Sequence, residues 1–212
     1  AQVWLSIFSK CTSRGNSISG YDLVRLIRGE GDPPNLDQAI YRCLYDRLRL
    51  GSKAKSSAVY LARDLPYRRR KAILFKYMAK GLGPREWDEF SAWKTSVEAL
   101  VPRYGPMEPD VQKALIHIMN TTTHMRIRED IVDILSDHCI PSKQMATLFL
   151  ETFQRAEKHG ISIDALNGLR NLSKRKPEWK AHIVEELEEM AETGSYAKPN
   201  DNTKTMLENM IK

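Results

Sequence analysis

The feature that most constrains the fold is the spacing of apolar residues. Along nearly the whole chain they recur at helical intervals, and nowhere over a useful length do they alternate with a period of two. From Leu36 the series Leu36, Ala39, Ile40, Cys43, Leu44 and Leu48 lays one stripe on one face, because residues three and four apart share a side of a 3.6-residue turn. Val111, Leu115, Ile118 and Met119 repeat the pattern, as do Ile127, Ile131, Ile134 and Leu135, and Met145, Leu148, Phe149 and Phe153. A half-buried strand needs alternation that is missing here, so the chain is expected to be all-α.

Punctuation cuts these stripes into short helices. Pro66, Pro84, Pro109, Pro141 and Pro177 stand where new stripes begin, and a proline in a first helical turn gives up only an N–H that lacks an intrahelical partner anyway. Gly51, Gly81, Gly160 and Gly194 follow the ends of stripes, where a left-handed residue closes a helix. Asn35-Leu36-Asp37-Gln38 reads as a capping box. Helices of ordinary length, roughly 11 residues, would number about eleven or twelve in this chain.

The chain also resembles itself. Laid over Ala146 to Leu172, the segment Ala1 to Ile27 matches Trp4 with Phe149, Leu5 with Leu150, Phe8 with Phe153, Gly15 with Gly160 and Ile18 with Ile163, at an offset of 145 residues. Alanines that open apolar stripes at Ala1, Ala39, Ala72, Ala114, Ala146 and Ala181 are spaced by 38, 33, 42, 32 and 35 residues. Periods of this size indicate stacked helix pairs, because one pair cannot bury its own apolar face. The expected architecture is a right-handed α-solenoid of about six stacked antiparallel helix pairs. The helical-repeat domain is placed at 1–194, a linker at 195–205, where nothing aliphatic exceeds Ala197, and a short terminal helix at 206–212. Its apolar Met206, Leu207, Met210 and Ile211, with no polar cap, suggest a chain that continues. The opening Ala1-Gln2-Val3-Trp4 fits a processed chain or a piece of a longer one.

Composition excludes several classes. An apolar fraction of 42% with 28% charged residues is ordinary for a folded globular domain, and no apolar run approaches the roughly 20 residues of a membrane-spanning helix. Cys11, Cys43 and Cys139 are too few and too far apart for a disulfide framework or a closely spaced zinc pair. A reducing intracellular compartment fits: nucleus, cytoplasm or mitochondrial matrix. Phosphate-loop, dinucleotide, nucleophile-elbow and His-Glu-x-x-His signatures are all missing; Gly81-Leu82-Gly83 continues as Pro84-Arg85-Glu86 and lacks the third glycine. No enzyme, cofactor, metal or small-molecule substrate is expected. His124 and His138, fourteen residues apart on one helix, would stand roughly 21 Å apart and cannot share an ion. His138 reads as an end-of-helix histidine near carbonyl groups, Cys139 as a buried thiol, and His182, a turn before Glu185 and Glu186, as solvated.

Charge is distributed unevenly. Residues 1–103 hold 19 Lys and Arg against 10 Asp and Glu, residues 104–212 hold 14 against 17, and Arg42 to Arg85 carries 13 basic residues with only Asp46 and Asp64 opposing them. The candidate surface for an anionic partner is therefore Arg42, Arg49, Lys53, Lys55, Arg68, Arg69, Arg70, Lys71, Lys76 and Lys80. The run Arg68 to Lys71 opens a helix, where the macrodipole disfavours cations, so acidic neighbours or an acidic ligand must offset it. Tyr60, Tyr67, Phe75 and Tyr77 lie close by; exposed aromatics would favour single-stranded nucleic acid through stacking, although Phe75 belongs to the apolar stripe. A second cluster, Arg170, Lys174, Arg175, Lys176 and Lys180, spans a helix junction. Glu185, Glu186, Glu188, Glu189 and Glu192 give the last full helix an acidic outer face beside its stripe of Trp179, Ile183, Leu187 and Met190.

The pattern resembles the α-solenoid helical-repeat superfamily of HEAT, armadillo, tetratricopeptide and pentatricopeptide proteins. Glu108-Pro109-Asp110-Val111-Gln112-Lys113-Ala114-Leu115 is similar to the start of a HEAT helix, and Leu74 to Pro84 to a pentatricopeptide helix end. A further resemblance, on Leu36 to Ala39, Lys71 to Met78 and Gly160 followed by Pro177, is to the N-terminal helical domain of the inner-kinetochore CENP-I family; it implies a scaffold assembled with other subunits. The expected function is a non-catalytic scaffold binding protein partners in a larger assembly. RNA or DNA binding through residues 42–85 is the alternative.

Overall fold

The computed structural model describes residues 36–45, 52–83, 89–156, 159–194 and 201–211. These form helices joined by short connections, with no strand among the described residues. The all-α expectation is met. The chain divides into two compact units, Ala1–Pro102 and Arg103–Lys212.

The first unit contains α1 (Leu36–Tyr45), α2 (Ser52–Arg63), α3 (Tyr67–Lys80) and α4 (Phe90–Leu100). Consecutive helices pack as pairs, α1 on α2 and α3 on α4; in addition α1 packs on α3 and α2 on α4. Such next-but-one contacts arise when one hairpin lies beside the next, which is how paired helices cover each other's apolar faces. Ile40, Leu44, Leu74, Met78, Trp93 and Leu100 fill the core. The Trp93 indole N–H donates to the Met78 carbonyl at 3.1 Å, so the largest fully buried side chain among the described residues also satisfies its one polar atom. The Tyr45 hydroxyl donates to the Ile73 carbonyl, and burial pushes its phenol above the ordinary range.

The second unit contains α5 (Pro109–Thr121), α6 (Met125–His138), α7 (Lys143–Gln154), α8 (His159–Arg175), a 3-10 turn at Pro177–Trp179, α9 (Lys180–Thr193) and α10 (Asp201–Ile211). Here α5 pairs with α6, α7 with α8 and α9 with α10, while α6 packs on α8, α7 on α9 and α8 on α10. The stripes foreseen for α5, α6 and α7 supply the core: Val111, Leu115, Ile127, Ile131, Leu135, Phe149 and Phe153 are all buried. Local chemistry sets the ends. Pro109 occupies the first turn of α5, the Ser142 hydroxyl accepts the Met145 N–H at 3.2 Å at the start of α7, and Gly194 closes α9 at φ 64°, a left-handed conformation that suits glycine.

Several local expectations need correction. Gly160 lies in the first turn of α8 instead of closing the preceding helix; a Cβ there would stand 2.3 Å from a Glu129 carboxylate oxygen, the far end of a flexible side chain that would have to move aside. Ala146 is buried and Ala114 half-buried, but Ala72 and Ala181 are exposed. On α3 the buried face is Ile73, Leu74, Tyr77 and Met78, and Ala72 falls about 170° from its centre at 100° per residue. Among the described residues these alanines therefore do not share one buried register. The terminal helix begins at Asp201, inside the stretch expected to link, and it docks: Leu207 is buried and α10 packs on both α8 and α9. Polar residues at 201–205 hid its first turn. Segment Ala1 to Ile27, Asn35 of the capping box, Cys11, Gly51, Pro84 and the side chain of Cys43 lie outside the described residues. Among the described residues no helix is long and apolar enough to cross a membrane.

Candidate functional site

The basic segment begins as foreseen. Arg68, Arg69, Arg70 and Lys71 occupy the first turns of α3, which follows α2 through a short connection ending in Pro66. What offsets their unfavourable place is internal. Arg69 holds both oxygens of Asp37, at 2.8 Å and 3.0 Å, a two-pronged pairing that ties α3 to the first turn of α1. Arg70 donates to the Arg63 carbonyl at 2.8 Å, covering the C-terminal end of α2 where a cation is favoured, and lies 5.3 Å from the Tyr67 ring centre.

Two further cations face aromatic rings, Lys71 at 5.8 Å from Phe75 and Lys76 at 5.4 Å from Tyr45. Lys55 pairs with the Glu89 carboxylate, whose other oxygen accepts the Tyr77 hydroxyl at 3.1 Å; both charged side chains of that pair are mostly buried. Arg68 and Lys80 are exposed. Arg49 and the side chains of Arg42 and Lys53 lie outside the described residues. Tyr60 and Tyr41 are exposed at 40% and 42%, whereas Tyr77 is buried and Phe75 half-buried.

The second cluster is sorted more sharply. Arg175 turns onto the end of α6, donating to the carbonyls of Asp137 and Cys139, the latter at 3.1 Å, and Lys176 stands 3.9 Å from Glu178. Arg170 and Lys174, four residues apart and thus on one face of α8, combine with Lys180 at the start of α9. These three cations, all exposed, line a cavity of about 210 Å³ with Ser173, Val184, Asn209 and Met210. The last two residues belong to α10. No ion pair joins any of the three cations to a described residue. The sequence showed the cations; only the docking of α10, anchored by Leu207, turns them into a concavity.

Sequence reasoning missed an acidic face. Glu129, Asp130, Asp133 and Asp137 lie along α6 at spacings that keep them on the side towards Asp164 of α8. Burial above all, reinforced by these four carboxylates, pushes the Asp164 carboxyl up to about 6. Arg126 counters part of the charge, at 3.8 Å from Glu129 and 3.7 Å from Asp130. The readable signal was the i, i+1, i+4, i+8 acidic spacing on an otherwise apolar-striped helix.

The histidines stand as the spacing requires. His124 precedes the first residue of α6 and His138 is its last, with the His138 Nδ1 at 3.1 Å from the Gly105 carbonyl. Cys139 is fully buried, and its thiol is pushed up to about 11 by burial, partly opposed by the Arg175 charge. His182 is exposed, 3.8 Å from Glu186. Among the described residues no group of three or more His, Cys, Asp or Glu is placed to hold a metal ion. The outer face of α9 is acidic as foreseen, with Glu185, Glu188, Glu189 and Glu192 exposed, while Ile183, Leu187 and Met190 are buried. Comparison with protein-family models, curated proteins and solved structures gave no match to this chain.

Proposed function

We propose that the chain is a non-catalytic helical-repeat scaffold that holds a protein partner within a larger assembly, in a reducing intracellular compartment. The observation that carries this reading is the internal use of the basic segment. Arg69 is committed to Asp37, Arg70 to the end of α2, and Lys55 to Glu89. Nucleic-acid affinity is driven by cations that neutralise phosphates and release counterions; a cation already held by a carboxylate contributes little to it. Hairpin packing in both units favours a helical repeat, whose successive pairs expose a broad surface suited to protein partners.

Nucleic-acid binding through residues 42–85 is retained as the second reading, because Tyr41 and Tyr60 expose rings in the same unit as Arg68 and Lys76. Purification of the tagged chain from its native cells, with and without nuclease, separates the two. A stoichiometric protein partner that persists through nuclease and high salt supports the scaffold. A partner set lost on nuclease treatment refutes it.

A further inference from the structure

We propose that the cavity framed by Arg170, Lys174 and Lys180 beneath α10 receives a phosphorylated side chain of a protein partner; this rests on the scaffold reading. The five cations of the cluster do not act alike. Arg175 and Lys176 have intramolecular partners, whereas the other three converge on one concavity without an ion pair to a described residue. Three like charges around one hollow repel one another, and a phosphate monoester, carrying a charge of about −1.5 to −2 at neutral pH, relieves that repulsion while accepting several charge-assisted hydrogen bonds.

Size and surroundings narrow the ligand. A cavity of about 210 Å³ falls below the roughly 300–1,000 Å³ of sites that enclose a whole cofactor or drug-sized molecule, so a single charged group fits better. The walls are mixed: Val184 and Met210 offer apolar surface to the stem of a side chain, and Asn209 adds an amide. Next to Val184 α9 presents Glu185 to solvent, and about one turn further on Glu188 and Glu189. An extended polyanion such as RNA would run against those carboxylates, while a lone phosphate on a peptide stops short of them.

The test uses fluorescence anisotropy of the full chain with a fluorescein-labelled, degenerate phosphoserine-centred peptide library and its unphosphorylated counterpart. Charge-assisted hydrogen bonds are markedly stronger than neutral ones, so the phosphorylated library should bind at least about tenfold more tightly. Lys174→Glu and Arg170→Glu, both exposed and expected to leave the fold intact, should each cost about tenfold or more. Leu207→Ser, which loosens α10 without altering the three cations, should weaken binding too if the cavity, and not bulk charge, is the receptor. Equal binding of the two libraries, or affinity unmoved by Lys174→Glu, overturns the proposal. So does single-stranded RNA that competes as well as the phosphopeptide and shows the same dependence on Lys174. A protein partner that co-purifies equally with wild type and Arg170→Glu would leave the scaffold reading standing and remove this site from it.

Discussion

Gly168 sits in the middle of α8, where glycine ordinarily costs about 1 kcal/mol relative to alanine, so on an exposed helix Gly168→Ala would stabilise. The structure predicts the opposite sign. A Cβ at this position would lie 2.6 Å from Cζ and 2.7 Å from Cε1 and Cε2 of the Phe149 ring on α7. Carbon atoms pack best at roughly 3.5–4.0 Å, which requires the ring to withdraw by about 1 Å. Phe149 is only 1% exposed, so its ring cannot simply swing out into solvent. Overpacking of this kind costs about 1–3 kcal/mol, and after the gain in helix propensity a net destabilisation of about 1 kcal/mol remains. Urea titration followed by circular dichroism measures it, with hydrogen exchange of α7 and α8 amides as the local readout. In a Phe149→Leu background the obstructing ring atoms are gone, and the same Gly168→Ala change should become stabilising by up to about 1 kcal/mol. If Gly168→Ala stabilises the otherwise unaltered chain, the close approach of α7 and α8 described above is wrong.

Two predictions concern buried ionisable groups. Below pH 3.8 Asp164 is protonated both folded and unfolded; between there and about pH 6 only the unfolded carboxyl ionises, so its raised pKa penalises folding increasingly and fully above pH 6. Asp164→Asn should therefore stabilise the protein at pH 7 by roughly 1 kcal/mol, after allowance for solvent screening of a half-buried group, and have no effect near pH 3; thermal melts at both values decide it, and equal melting temperatures at pH 7 would contradict it. Cys139, buried with its thiol at about 11, should resist iodoacetamide at pH 7.5 and react fast only in denaturant. Mass-spectrometric detection of rapid alkylation at Cys139 in the folded chain would show the thiol to be accessible.

The helices were legible because their signals are local. The stripes of α5 to α7 and the outer and inner faces of α9 follow from spacing alone, and the N-terminal run of α3 follows from Pro66 and the stripe behind it. What depended on contacts between distant segments was not legible. The pairing of Arg69 with Asp37 and of Lys55 with Glu89 joins residues more than thirty positions apart, so a segment that reads as a continuous positive field is partly neutralised in the fold. The sorting of the second cluster depends likewise on where α6 ends and where α10 docks. Gly160 looked like a terminator because glycine is common there, yet it lies inside α8 and packs against the Glu129 side chain of another helix. The alanine spacing misled because small residues tolerate either face of a helix.

On the reading proposed above, the cations of residues 42–85 serve the fold more than a nucleic acid. Titration of fluorescein-labelled single-stranded RNA with the full chain, at low and at physiological salt, tests it most directly. The account predicts no saturable binding at physiological salt, and only weak binding at low salt that Arg68→Glu, Arg69→Glu and Arg70→Glu together do not abolish. Tight binding that falls steeply with salt and vanishes in that triple variant would contradict it.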